Sequence, residues 1–150
     1  MMAVRKDIPP LDTSAVKDPR QMFGSRLSFA ASEAYKLLRT NLLFSLPRTE
    51  NRCRVVGVTS ALRNEGKSTT AVNLAYSVAE AGNRVLLIEA DMRLPTLAKR
   101  LRLRYTPGLS SLLAGLCGIK DVILPSGLID NLHIIVSGEI PPNPSELLGS

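Results

Sequence analysis

A parallel β-sheet flanked by helices, an α/β fold carrying a phosphate-binding loop, is predicted by three features of the 150-residue sequence. A β-branched stretch, 54–59, runs directly into the polar segment 60–70, which contains Asn64, Glu65, Gly66, Lys67, Ser68 and Thr69. An apolar run, 84–91, ends in two carboxylates, Glu89 and Asp91. Strand-like and helix-like segments alternate along the remainder, the pattern of βαβ units joined by right-handed crossovers.

Each element has its own local reason. Residues 1–27 carry prolines, mixed charges and little periodicity, and read as a flexible arm ahead of a domain spanning 28–150. Helical character covers 32–45, and Pro47 ends it because proline disfavours helix in the residue before it. Residues 54–59 read as a buried strand. Ala71, Leu74, Ala75, Val78 and Ala79 then recur at helical spacing until Gly82 stops the helix. The run 84–91 reads as a second strand, covered on both faces. Short helices are predicted over 95–101 and 109–114, and a third strand over 132–137. Residues 138–150 read as a proline-stiffened loop opening a helix, with Asn143 or Ser145 as its cap. A parallel sheet buried on both faces normally has more than three strands, so the sequence is expected to be a P-loop NTPase-like fold incomplete at its C-terminus.

Composition narrows the setting. With 45% hydrophobic and 21% charged residues the chain is ordinary for a soluble globular domain. Lys120, Asp121 and Pro125 interrupt its longest apolar stretches, so no run reaches the roughly 18 residues of a membrane span. The N-terminus has no apolar core of the secretory type, and a cytoplasmic location is expected. Cys53 and Cys117 have no neighbouring ligands at metal spacing and are expected to be buried, unreactive thiols. His133 lies in an apolar run and is given no role. The net charge of +6 favours anionic partners. Arg93, Lys99, Arg100, Arg102 and Arg104 form the densest basic cluster, but only Tyr105 offers a stacking ring beside it. The cluster therefore reads as a solvated basic face, not a nucleic-acid interface.

The chemistry concentrates in two places. A tight loop opening a helix presents unpaired backbone N–H groups and a positive dipole end to a polyphosphate. Lys67 is placed to reach the β- and γ-phosphates, and the Ser68 hydroxyl to hold Mg²⁺. Ala61 stands where the G-x-x-x-x-G-K-[ST] pattern has its first glycine, and Asn64, which tolerates positive φ, is expected to absorb a left-handed turn. At the second place, alternation along a strand puts Glu89 and Asp91 on one side, a paired acid site able to hold Mg²⁺ or to accept a proton from an attacking hydroxyl. Arg93 is expected to meet a transferred phosphate or to pair with Glu89. The carboxyl end of the strands is where ligands sit in open sheets of this kind.

Segments 33–41, 65–70, 87–93, 108–115 and 141–148, taken in order, resemble the bacterial tyrosine kinases of capsular and exopolysaccharide biosynthesis, the BY-kinase family. The resemblance implies ATP-dependent autophosphorylation on tyrosine. In that family the second segment is the Walker A loop and the third the Walker A′ motif. Asp91 then becomes the foremost metal-coordinating carboxylate or base, with Lys67, Glu89 and Arg93 beside it. It further implies a separate membrane adaptor that recruits the protein to the inner face of the cell membrane, and ring-like self-association through Glu33, Lys36 and Arg39. Glu89 stands where the family usually has aspartate, Arg63-Asn64 replaces a common Pro-Gly, and Lys36 replaces an arginine. The family's Walker B strand and tyrosine-rich tail have no counterpart here. Two other functions fit the same loop: a nucleotide-dependent regulatory or assembly module without phosphotransfer, and a positioning ATPase of the MinD/ParA type. The latter group carries a second lysine early in the loop, and positions 61–65 contain none.

Overall fold

The computed structural model describes residues 18–46 and 53–149. Helix α1 (Phe29–Ser45) starts at Ser28, whose hydroxyl accepts the Ala31 amide at 3.3 Å. Helix α2 (Lys67–Glu80) follows the loop 60–66, and β1 (Val85–Ile88) follows α2 after a turn at Gly82, where φ is +87°. Short helices α3 (Leu97–Leu101), α4 (Leu109–Leu113) and α5 (Ile119–Val122) lead to β2 (Leu124–Pro125) and β3 (Leu132–Ile135), and α6 (Pro144–Leu148) comes last.

The described sheet has three strands in the order β1-β3-β2. β1 and β3 are parallel, with Val85 opposite Leu132 and Ile88 opposite Ile135, and β2 pairs antiparallel to β3. Helix α2 covers one side, packing Ala75 and Ala79 on Leu132 beside Val85 and Leu87. A second cluster joins Val72 of α2 to Leu97 and Leu101 of α3, Ile134 and Phe23. A third gathers Met92, Leu109, Val122 and Ile135 under α4 and α5.

The structure departs from the sequence-based expectations at three places. The stretch 54–59, expected as a buried strand, has no strand partner, and Val55 is 87% exposed. An extended segment needs a neighbour to take up its backbone N–H and C=O groups, and no described strand runs alongside it. β1 is likewise covered on one face only, with Leu86 and Ile88 about half exposed. The second departure lies in the predicted arm. Residues 1–17 fall outside the described residues, but 18–27 pack against the domain through two 3-10 turns, Pro19–Met22 and Gly24–Arg26. Phe23 is 1% exposed, and the Asn73 side chain accepts the Gly24 amide and donates to the Met22 carbonyl, both at 3.0 Å. Thirdly, Cys53 is exposed and Cys117 half-buried, so neither thiol occupies the buried position expected of it.

Candidate functional site

The loop from 60 to 66 is braced by its own side chains. Ser60 donates through its hydroxyl to the Leu62 carbonyl at 2.9 Å, and the Glu65 carboxylate accepts the Leu62 amide at 3.0 Å. Asn64 takes φ +63°, the left-handed turn expected of it, and Gly66 takes φ +88° at the N-cap of α2. Those two residues turn the chain so that α2 opens with Lys67 and Ser68 facing a pocket of about 480 Å³. Arg63, Asn64, Gly66, Lys67, Ser68 and Thr96 contribute to its wall. Asp91, Arg93, Leu94 and Arg100 complete the wall from the far side.

Lys67 Nζ lies 3.0 Å from Asp91 Oδ2, joining the loop to the carboxyl end of β1. Asp91 also accepts the Leu94 amide at 3.0 Å. Burial pulls the Asp91 pKa upward, but the hydrogen bond from Lys67, the backbone amides of Leu94 and Arg93 and the Lys67 charge outweigh it and hold the carboxyl below the ordinary aspartate value. The pair is about one-third exposed on both sides, so solvent screens it and its geometry matters more than its energy.

Glu89 does not share this position. Alternation carries past Ile88: Glu89 still donates its amide to the Ile135 carbonyl at 2.9 Å and turns inward to 6% exposure, before the chain bends where the Met92 amide meets the Ala90 carbonyl at 3.0 Å. Its Oε1 accepts the amides of Thr96 at 2.6 Å and Leu97 at 2.9 Å, and its Oε2 accepts that of Ser137 at 3.4 Å. The expected paired acid site is thus divided into one carboxylate in the pocket and one bound to backbone amides. Arg93 lines the pocket as expected, yet its guanidinium donates to Ser145 Oγ of α6 at 3.2 Å and forms no bond with Glu89. Glu33 and Lys36 pair with each other at 2.9 Å along α1, while Arg39 reaches the Ser77 carbonyl at 2.7 Å and fastens α1 to α2.

Arg100 was grouped by sequence with the solvated basic face, but it stands in the pocket wall and donates to Thr69 Oγ1 at 3.0 Å. No linear signal marks it, because the contact joins residues 31 positions apart. Among the described residues no group of three or more His, Cys, Asp or Glu side chains converges as a metal site. Asp91 is the one carboxylate among the lining residues, and Ser68 beside Lys67 adds a hydroxyl oxygen. That set suits Mg²⁺, which takes one or two carboxylates with substrate phosphates and waters instead of an all-protein cage.

Residues 55–140 match the AAA domain family. Tyrosine-protein kinase YwqD of Bacillus subtilis (strain 168) is 43% identical over 119 residues, which are 79% of this chain and 49% of the relative. Tyrosine-protein kinase CpsD of Streptococcus agalactiae is 38% identical over 117 residues, 77% of this chain and 49% of the relative. Among solved structures, the kinase domain of Escherichia coli tyrosine kinase ETK aligns with a TM-score of 0.73 at 36% identity, covering 79% of this chain and 45% of that one. The chimerical protein CapA2B2 aligns with a TM-score of 0.68 at 37% identity, covering 79% and 50%. The chain spans about half the length of these curated relatives. The match over 55–140, more than half of the chain, places it in the AAA domain family, and over about half of their length it is similar to bacterial tyrosine-protein kinases.

Proposed function

We propose that the pocket binds ATP with Mg²⁺ and that the full-length protein transfers the terminal phosphoryl group to tyrosine, its own included, in the control of capsular or exopolysaccharide synthesis and export. The observation that carries this reading is the 3.0 Å approach of Lys67 to Asp91 across the mouth of a helix N-terminus. Phosphoryl transfer asks little covalent chemistry of the protein and depends on positioning and charge. The α2 amides after Gly66 and the Lys67 ammonium supply positive charge for the β- and γ-phosphates. Asn64 and Glu65 hold the loop in the shape that aims those amides, and Thr69 extends the phosphate-facing turn. Ser68 and Asp91 would hold Mg²⁺, which when bound neutralises phosphate charge. Asp91, kept ionised by Lys67, suits that role better than proton abstraction from a tyrosine hydroxyl of pKa near 10. Arg93 faces the same space and would steady the transferred group, and Glu89 acts by fixing the backbone that carries both.

The reading extends to partners. It includes a separate membrane adaptor that recruits the protein to the inner face of the cell membrane; among the described residues no helix is long and apolar enough to cross a membrane. Helix α1 buries none of its residues and leaves Phe29 and Phe44 more than 80% exposed, which supports self-association through that helix. Glu33 and Lys36 lie along it, while Arg39 serves by holding the helix in place.

Incubating full-length protein with Mg-ATP is expected to yield phosphotyrosine, and Lys67→Met to abolish it. Undiminished phosphotyrosine in that variant would overturn the role given to Lys67. One observation favours a second reading, a nucleotide-binding regulatory module without phosphotransfer: Glu89 is engaged by three amides, leaving Asp91 as the single carboxylate in the pocket. That reading predicts Mg-ATP binding with no phosphotyrosine in the wild type.

A further inference from the structure

The pocket carries more positive charge than its phosphate loop provides. Lys67 faces Asp91, but Arg63, Arg93 and Arg100 line the same wall and form no ion pair among the described residues. Of these, Arg100 is the one most firmly placed. Leu97 and Leu101, four positions apart on α3, are both buried and fix the roll of that helix, and the Arg100 amide bonds the Thr96 carbonyl at 3.0 Å. Glu89 fixes its start, because its carboxylate accepts the Thr96 and Leu97 amides from below. The guanidinium so positioned is half-buried and reaches the first turn of α2, where it spends one N–H on Thr69 Oγ1. A guanidinium has five donors in a rigid fork that matches phosphate oxygens, and four of these remain for a ligand.

We propose that Arg100 is a polyphosphate-binding residue of this pocket, and that Glu89 is the positioning residue that holds α3 so that Arg100 reaches it. The proposal rests on the nucleotide reading given above. Its chemistry is specific: a triphosphate offers several oxygens at once to the half-buried Arg100 and to the exposed Arg63 and Arg93 on the same wall, whereas a neutral or singly charged ligand leaves the remaining Arg100 donors unused.

Calorimetric titration of the full-length chain with Mg-ATP and with Mg-ADP tests it. Arg100→Gln is expected to weaken binding of both nucleotides about tenfold, the loss of one charge-assisted contact, and to flatten the dependence of affinity on salt. Arg100→Lys, which keeps the charge but not the fork, is expected to fall between. Lys99→Gln removes the same charge from the exposed side of α3 and is expected to bind as the wild type. Glu89→Gln is expected to weaken binding several-fold in the wild-type background and to add nothing in Arg100→Gln. Binding by Arg100→Gln equal to that of the wild type, or equal losses in Arg100→Gln and Lys99→Gln, would overturn the assignment of Arg100. Fully additive losses with Glu89→Gln would overturn the positioning role. No nucleotide uptake by the wild type would instead remove the reading beneath both. Arg100→Lys, the gentler change, decides the matter should Arg100→Gln fail to fold.

Discussion

Asp91 and Glu89 stand two residues apart and do opposite work. Asp91 is held ionised, and because its pKa in the folded state lies below the unfolded value, its contribution to stability is present above about pH 3.9 and disappears as pH falls through the folded value. Asp91→Asn is therefore expected to differ from the wild type in urea-denaturation stability by a constant amount from pH 8 down to about 5. The difference should shrink below about pH 4; a difference that changed between pH 6 and 8 would contradict this assignment. Glu89 satisfies three backbone amides, and Glu89→Ala would strand them, at a cost of about 2–4 kcal/mol in denaturant unfolding at neutral pH. A loss below about 0.5 kcal/mol would show that these bonds do not hold α3. The loop residues were legible in the sequence because their conformations are local: Asn64 and Gly66 are the residue types that accept positive φ where the chain needs it. Glu89 was misread because alternation gives the side a residue faces but not its partners, and only tertiary packing brings the Thr96 and Leu97 amides to that side. Arg100 was illegible because only tertiary packing brings α3 to α2.

At the scale of elements, the backbone crossing at the carboxyl end of β3 is the tightest joint. Gly108 lies against Gly138 and Val136, and a Cβ on Gly108 would run into the backbone of both. The Leu109 and Ser110 amides bond the Val136 and Ser137 carbonyls at 2.8 and 2.9 Å, so α4 has no room to withdraw. Gly108→Ala is expected to cost about 1–3 kcal/mol, read from the midpoint of chemical unfolding. A midpoint within error of the wild type would show that the crossing yields easily. A short helix over 109–114 was legible in the sequence, but not why a glycine precedes it, since the clash lies with a strand-end almost thirty residues on. Periodicity located α2 well, because one face of the helix meets the sheet. The packed turns over 18–27 escaped it, because a single aromatic, Phe23, carries their burial and shows no period.

For the whole molecule, the open side of the sheet is the dominant feature. Val55, Val56 and Val58 lie exposed, and Leu86 and Ile88 project from the uncovered face of β1. Strand propensity at 54–59 was read correctly as apolar and β-branched, but a strand is a property of a pair, and no described segment pairs with it. The 150-residue chain is expected to bind the dye ANS on this face. Ile88→Lys should lower that signal while changing stability by no more than about 0.5 kcal/mol, as an exposed site allows. A large loss of stability would mean that Ile88 is packed in solution. Common to the three scales is the proposal that the pocket at the start of α2 receives a polyphosphate. Calorimetry of Mg-ATP binding to the full-length protein, beside Lys67→Met, tests that most directly: saturable binding lost or weakened at least tenfold in the variant is the predicted result, and equal binding by both proteins would contradict it.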